Sequence, residues 1–143
     1  MHTAVETSGF SETAAFKKVV ETADLILFDI KHMDPRLHEY WTGTDNSLIL
    51  KNLDCLICSG KTFTARMPLI PGVNDTEENF ALMARCLERA RDRCRLEILP
   101  YNRLAGAKYE SVSRKYEPGF DADRAVHFRG DEFDKRGIKW KVL

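Results

Sequence analysis

The sequence predicts an α/β fold in which a parallel sheet is built from strands that alternate with amphipathic helices. Two observations carry this. Short apolar runs recur at Leu25 to Ile30, Phe63 to Ile70 and Leu96 to Leu99, and the segments between them repeat apolar residues at helical spacing. Strands separated by helices of this length need crossover connections, and crossovers make neighbouring strands parallel.

Taken in order, His2 to Val5 reads as a strand, and Glu6-Thr7-Ser8-Gly9 as the loop that leaves it. Ser11 is placed to cap a helix whose inner face is Phe16, Val19, Val20 and Ala23. Leu25 to Ile30 is the second strand, followed by a loop around Pro35 and Gly43 in which Asp34-Pro35 reads as turn chemistry. A helix then runs from Ser47 to Ser59, ended by Gly60, with Ile49, Leu53, Leu56 and Ile57 inward. Phe63 to Ile70 is closed by Pro71-Gly72, and Asp75 with Glu78 has the spacing of a capping box. The helix it opens carries Phe80, Met83, Ala84, Leu87 and Ala90 on one face, and the next strand is left through Pro100-Tyr101-Asn102. The remainder is a polar stretch near Tyr109 to Asp121, a helix near Asp123 to Arg136 and a last strand, Ile138 to Val142. Residues 1–143 are expected to be one domain, with βα units to residue 103 and a tail from 104 to 143. The chain starts almost inside its first strand, which suggests that an upstream portion belongs with it.

Charge and composition narrow the function classes. The 22 basic residues balance 22 acidic ones and are interspersed with them, so nothing marks a nucleic-acid footprint or an anionic membrane surface. No apolar run approaches the ~20 residues that span a bilayer, and Met1-His2-Thr3-Ala4 has no signal-peptide character, so the expected location is the cytoplasm. Cys55-Leu-Ile-Cys58 is a CxxC, but Cys86 and Cys94 do not form the second pair that a zinc site requires. Both thiols of the CxxC fall on the outer side of their helix and read as incidental. The histidines show no ligand spacing, and no metal-binding residue is assigned.

In parallel α/β folds, reactive groups gather at the C-terminal strand ends, where the loops converge. Strand by strand, these ends carry Glu6 and Thr7, then Asp29 and Lys31, then Arg66 with Pro71-Gly72, then Tyr101 and Asn102. A rim with both charge signs suits a small polar ligand such as an amino acid. Each residue also has a plainer role: Glu6 and Thr7 as helix caps, Asp29 and Lys31 as an exposed ion pair, Arg66 as a solvated guanidinium.

The runs "ETSGF", "ADLILFDIKHMDPRLHEYWTGTDNSLILKNL", "RMPLIPGVNDTEENF" and "LEILPYNRLAGAKYE" together resemble the glycyl-radical-enzyme activating enzymes, the radical S-adenosylmethionine family of the pyruvate formate-lyase activating enzyme. The likeness covers residues 2 to 118 and returns in the final "GIKWKVL". It implies part of a (β/α)6 TIM-like barrel. It also implies S-adenosylmethionine and a 4Fe-4S cluster as cofactors, a flavodoxin or ferredoxin as reductant, and a pyruvate formate-lyase-like enzyme as partner. Reductive cleavage of S-adenosylmethionine there yields a 5'-deoxyadenosyl radical that removes a hydrogen atom from a partner glycine. By resemblance, Asp29 and Lys31 of "DIK" hold the cofactor, with Lys31 toward its carboxylate. Glu6 and Thr7 of "ETSG" match an acidic-Thr pair that helps bind it and a monovalent cation. Arg66 matches a rim arginine, and Asn102 stands where the family commonly has a histidine. A carboxylate, an ammonium and a sulfonium are complementary to Lys31 and Arg66 set beside Glu6 and Asp29.

The family's CxxxCxxC and its glycine-rich segment are absent from the sequence. The resemblance therefore implies a C-terminal portion with half of the cofactor cradle and no cluster thiolates, inactive by itself in cleaving S-adenosylmethionine. It also implies an exposed strand edge through which two copies could pair. Two rival readings stand beside it. Asp29-Ile30-Lys31-His32-Met33-Asp34 satisfies the DxKxxD of orotidine monophosphate decarboxylase-like barrels, although the chain has too few βα units for that fold. A non-catalytic remnant that docks on the glycyl-radical partner is the other.

Overall fold

The computed structural model describes residues 1–102, 109, 113 and 115–143. Its strands are β1 (Ala4–Thr7), β2 (Leu25–Asp29), β3 (Phe63–Leu69), β4 (Cys94–Pro100) and β5 (Lys139–Val142). The helices are α1 (Thr13–Thr22), α2 (Pro35–Thr42), α3 (Ser47–Cys58), α4 (Glu77–Glu88) and a short α5 (Asp131–Asp134). All neighbouring strands are parallel and the sheet order β1-β2-β3-β4-β5 follows the chain. Because each right-handed crossover adds its strand in the same direction, the helices collect on one face of the sheet, as they do around a (β/α) barrel. The fold is α/β, an open segment of such a barrel.

Alternation along the strands shows which face is covered. Ile26, Phe28, Ala65, Met67, Leu96 and Ile98 are buried under the helices, and Phe16, Leu53, Leu56, Phe80, Met83 and Leu87 meet them from the other side. The intervening Leu27, Asp29, Thr64, Arg66 and Glu97 are only half-buried, and Arg95 is exposed, so the opposite face is open. The first loop returns tightly to the core. At Gly9, with φ of 72°, a Cβ would stand 2.4 Å from Cζ of Phe28, which only glycine avoids.

Several expectations need correction. Glu6 and Thr7 lie inside β1, which is shifted toward the first loop relative to His2 to Val5. Ser11 does not cap α1, which starts at Thr13 with no side-chain cap. A tertiary contact fixes this turn instead: Asn52 Nδ2 of α3 donates to the carbonyls of Gly9 at 2.7 Å and Ser11 at 2.8 Å. The loop around Pro35 is the helix α2, in which Asp34 accepts from the Leu37 N–H at 2.8 Å, Pro35 takes the first turn and Gly43 ends it at φ 82°. α4 is capped by Thr76, which accepts from the Asn79 N–H at 3.2 Å. Asp75 is turned inward, and its carboxylate accepts from Gly72 N at 2.7 Å and His127 N at 3.1 Å. The tail helix shrinks to α5, whose Phe133 is fully buried beside Phe80 and Phe128, with Trp140 packed on Phe128. Part of the polar stretch from Tyr109 lies outside the described residues.

Candidate functional site

Register brings the charges of the open face together. Asp29, Arg66, Glu97 and Lys141 are successive Cα partners across β2, β3, β4 and β5, so their side chains share one face in a row of alternating sign. Arg66 Nη1 reaches Glu6 Oε2 on β1 at 2.8 Å, and its Nε stands 4.0 Å from Glu97 Oε2. Lys141 Nζ closes the row at 3.0 Å from Glu97 Oε1. The side chains of Arg66 and Glu97 are only 18% and 20% exposed, so these charges are partly withdrawn from water, where such pairs interact more strongly than at an open surface.

Asp29 stays outside this set of pairs. Its Oδ1 is buried with no hydrogen-bond partner, and no ion pair to it forms among the described residues. Burial pushes its carboxyl above the usual carboxylate range, opposed by the Arg66 guanidinium, reinforced by Glu6 and opposed again by Lys31. An acceptor held in this way favours a ligand that brings hydrogen-bond donors or positive charge.

Lys31 follows β2 and is exposed, with no ion pair or hydrogen bond of its side chain among the described residues. It borders an apolar cavity of about 370 Å³ lined also by His32, Trp41, Ile70, Val73 and Phe120. Sequence reasoning missed what fixes this segment: three buried asparagines. Asn74 Nδ2 donates to the carbonyls of Lys31 at 2.8 Å and Pro68 at 2.6 Å, which ties the loop after β2 to the end of β3. Asn46 Nδ2 donates to His32 O and Met33 O, and Asn79 Oδ1 accepts from Met33 N at 2.9 Å. His32 Nδ1 accepts from Asp34 N at 3.0 Å, and burial holds its ring below the ordinary histidine range, hence neutral. Asparagine suits these positions because one side chain both donates and accepts without burying a charge.

The other expected site residues divide. Glu6 lies on the open face with Asp29 and Arg66, whereas Thr7 pairs in register with Phe28 and turns toward the core side. There its hydroxyl accepts from Gly9 N at 2.9 Å, a turn contact. Asn102 is exposed just beyond β4. Tyr101 packs on Phe120 with ring centroids 5.2 Å apart, and Phe120 in turn lies 6.2 Å from Trp41. The thiols sit elsewhere: Cys55 and Cys58 on α3, Cys86 on α4, and Cys94 on the buried face of β4, where burial pushes it up to about 12. Among the described residues no group of three or more His, Cys, Asp or Glu could hold a metal ion.

No established family profile matches the chain. Over 119 residues it is 36% identical to the trans-4-hydroxy-L-proline dehydratase activating enzyme of Clostridioides difficile, which takes in 82% of this chain and 39% of that protein. Over another 119 it is 33% identical to the choline trimethylamine-lyase activating enzyme of Oleidesulfovibrio alaskensis, 81% of this chain and 38% of that one. This chain is homologous to glycyl-radical-enzyme activating enzymes. It spans about two fifths of the length of these activating enzymes. A solved domain of the pyruvate-formate lyase-activating enzyme from Bacteroides vulgatus superposes with TM-score 0.74 at 26% identity, over 100% of this chain and 81% of the domain. The fold is also that of a radical SAM methyltransferase from Sphaerobacter thermophilus, at TM-score 0.62 and 17% identity, over 98% of this chain and 39% of that one. No helix among the described residues of this activating-enzyme homologue is long and apolar enough to cross a membrane.

Proposed function

We propose that this chain, folded as one domain, supplies the S-adenosylmethionine-holding strand ends of a glycyl-radical-enzyme activating enzyme. The observation that carries the reading is Asp29, a half-buried carboxylate two residues from Lys31, neither with an ion-pair partner among the described residues, on a loop clamped by three asparagines. The donor set fits the cofactor. Lys31 offers its ammonium to the methionine carboxylate, Asp29 accepts from hydroxyl or ammonium donors, and the Glu6–Arg66 pair bounds the site on the β1 side. Thr7 shapes the turn behind them, and Asn102 offers a neutral hydrogen-bonding group at the end of β4. S-adenosylmethionine, when bound and reduced, supplies the chemistry that removes a hydrogen atom from a glycine of a pyruvate formate-lyase-like partner.

A 4Fe-4S cluster does not fit the thiols of this chain. They lie on α3, α4 and the covered face of β4, none on the open face where Asp29, at the end of β2, and Arg66, midway along β3, stand. On this reading the cluster, and the flavodoxin or ferredoxin that reduces it, engage polypeptide outside these residues, and the cytoplasm is the matching compartment. The free β1 edge offers a place for a second strand, from that polypeptide or from another copy of the chain.

The test is calorimetric titration of the chain with S-adenosylmethionine. Parent chain binds, Lys31→Ala weakens binding by roughly three- to tenfold, the net worth of about one hydrogen bond, and Asp29→Asn weakens it similarly. Equal affinity in all three overturns the assignment. Anaerobic iron-sulfur reconstitution is expected to leave the chain without a cluster, and a cluster held by Cys55 and Cys58 would overturn that part.

A further inference from the structure

Asp29 and Arg66 are direct register partners on neighbouring strands, close enough for an ion pair, yet they do not form one. The guanidinium is drawn away on both sides: past β2 to Glu6 on β1 at 2.8 Å, and toward Glu97 on β4 at 4.0 Å. Glu97 is itself shared, since Lys141 on β5 stands 3.0 Å from its other oxygen. A carboxylate that already has a lysine attracts an arginine less than a carboxylate without one, so Lys141 sets how strongly Glu97 competes for Arg66.

We infer that Glu97 and Lys141 are positioning residues for the ligand site. Together they divide the Arg66 guanidinium between Glu6 and Glu97 and keep it off Asp29, so that the Asp29 carboxylate is left for donors of the ligand. The assignment of the ligand as S-adenosylmethionine rests on the reading above; the division of Arg66 does not. The charged groups in the row with Asp29 are Glu6 from β1, Lys31 beyond β2, Arg66 from β3, Glu97 from β4 and Lys141 from β5, and the cations Arg95 and Lys139 share the face one register step further back on β4 and β5. The two outer residues act with opposite sign, which a general loss of structure cannot imitate. Without the Glu97 charge, Arg66 swings toward Asp29 and favours its ionised form. Without the Lys141 charge, Glu97 holds Arg66 more tightly and Asp29 loses part of the guanidinium's influence.

The measurement is the titration of the Asp29 carboxyl carbon by NMR in the chain and its variants, each checked for an unchanged amide spectrum. The apparent pKa of Asp29 should fall in Glu97→Gln, rise in Lys141→Met and return to the parent value in Lys141→Arg. Shifts of the same sign in Glu97→Gln and Lys141→Met, no shift in either, or shifts that persist at full size in an Arg66→Met background, where only the direct charges of residues 97 and 141 act on Asp29, overturn the division of Arg66. Titration with S-adenosylmethionine then separates the two claims. Affinity for Glu97→Gln should be lower by roughly three- to tenfold, the net worth of about one hydrogen bond lost to Arg66. Should the parent chain bind no S-adenosylmethionine while the opposite shifts are seen, the positioning stands and the cofactor assignment fails. Should it bind while the shifts are absent, the cofactor assignment stands and the positioning fails.

Discussion

Asp29 shows at the scale of one residue how a site stores cost. Its carboxyl is raised because burial penalises the charged form more than Arg66 and Lys31 compensate it. A carboxyl whose folded pKa lies above its unfolded one weakens the folded state at all pH above the folded value. The penalty fades as pH falls through that value and is gone below the unfolded one. Asp29→Asn should therefore make the chain more stable than its parent at pH 7, with the advantage shrinking through the acid range. Urea unfolding at a series of pH values measures this, and a less stable variant at neutral pH would contradict it. The same substitution weakens the proposed ligand binding, the trade expected of a residue kept for function. Asp29, Lys31 and Glu6 could be found in the sequence because they end apolar runs, and Arg66 because it interrupts one. The buried asparagines could not, since Asn46, Asn74 and Asn79 stand 13 or more positions from most of the carbonyls and amides they meet, and nothing local separates them from surface asparagines.

At the scale of elements, local patterns decide some boundaries and tertiary contacts decide others. The inner face of α4 follows directly from its periodicity, with Phe80, Met83, Ala84 and Leu87 all buried as spaced, and Ala90 is buried just beyond its end. α2 was harder to read, because Asp-Pro serves equally as a turn and as a cap followed by the first helical residue. Its mean burial is low and His38 is its one buried residue, so the cap carries an unusual share of its stability. Asp34→Ala should cost about 1 kcal/mol, in the range of other lost N-caps, read as a lower thermal midpoint. A change within error would mean that Pro35 and Gly43 alone define the helix. α1 is the opposite case: it lacks a side-chain cap, and Asn52 supplies its entry geometry from 41 residues away.

For the whole molecule, the alternation of βα units was legible and the use of the open face was not. Periodicity identifies Arg66 and Glu97 as residues on the less buried side of their strands. Their row with Lys141 depends on a register between strands separated by dozens of residues. The sheet has outer edges at β1 and β5, and neither edge strand has a second neighbour among the described residues. Self-association through β1 is expected at high concentration, and Ala4→Lys, which adds charge to that exposed strand, should reduce it in sedimentation velocity runs. Unchanged association would place the contact elsewhere.

The sheet order that repeats the chain order has a consequence for how the molecule is made. Each strand finds its partner in the segment most recently synthesised, so no early strand waits for a distant late one before it can pair. Closure of each successive loop involves only one crossover, which keeps its entropic cost low. Folding can then advance from β1 toward β5 as the polypeptide leaves the ribosome, each new unit templated on the last. The charged row would be completed only when Lys141 of β5, the last of the five strands, reaches Glu97. A ribosome-bound nascent chain would thus carry the strand ends of the ligand site well before it carries the residue that tunes them.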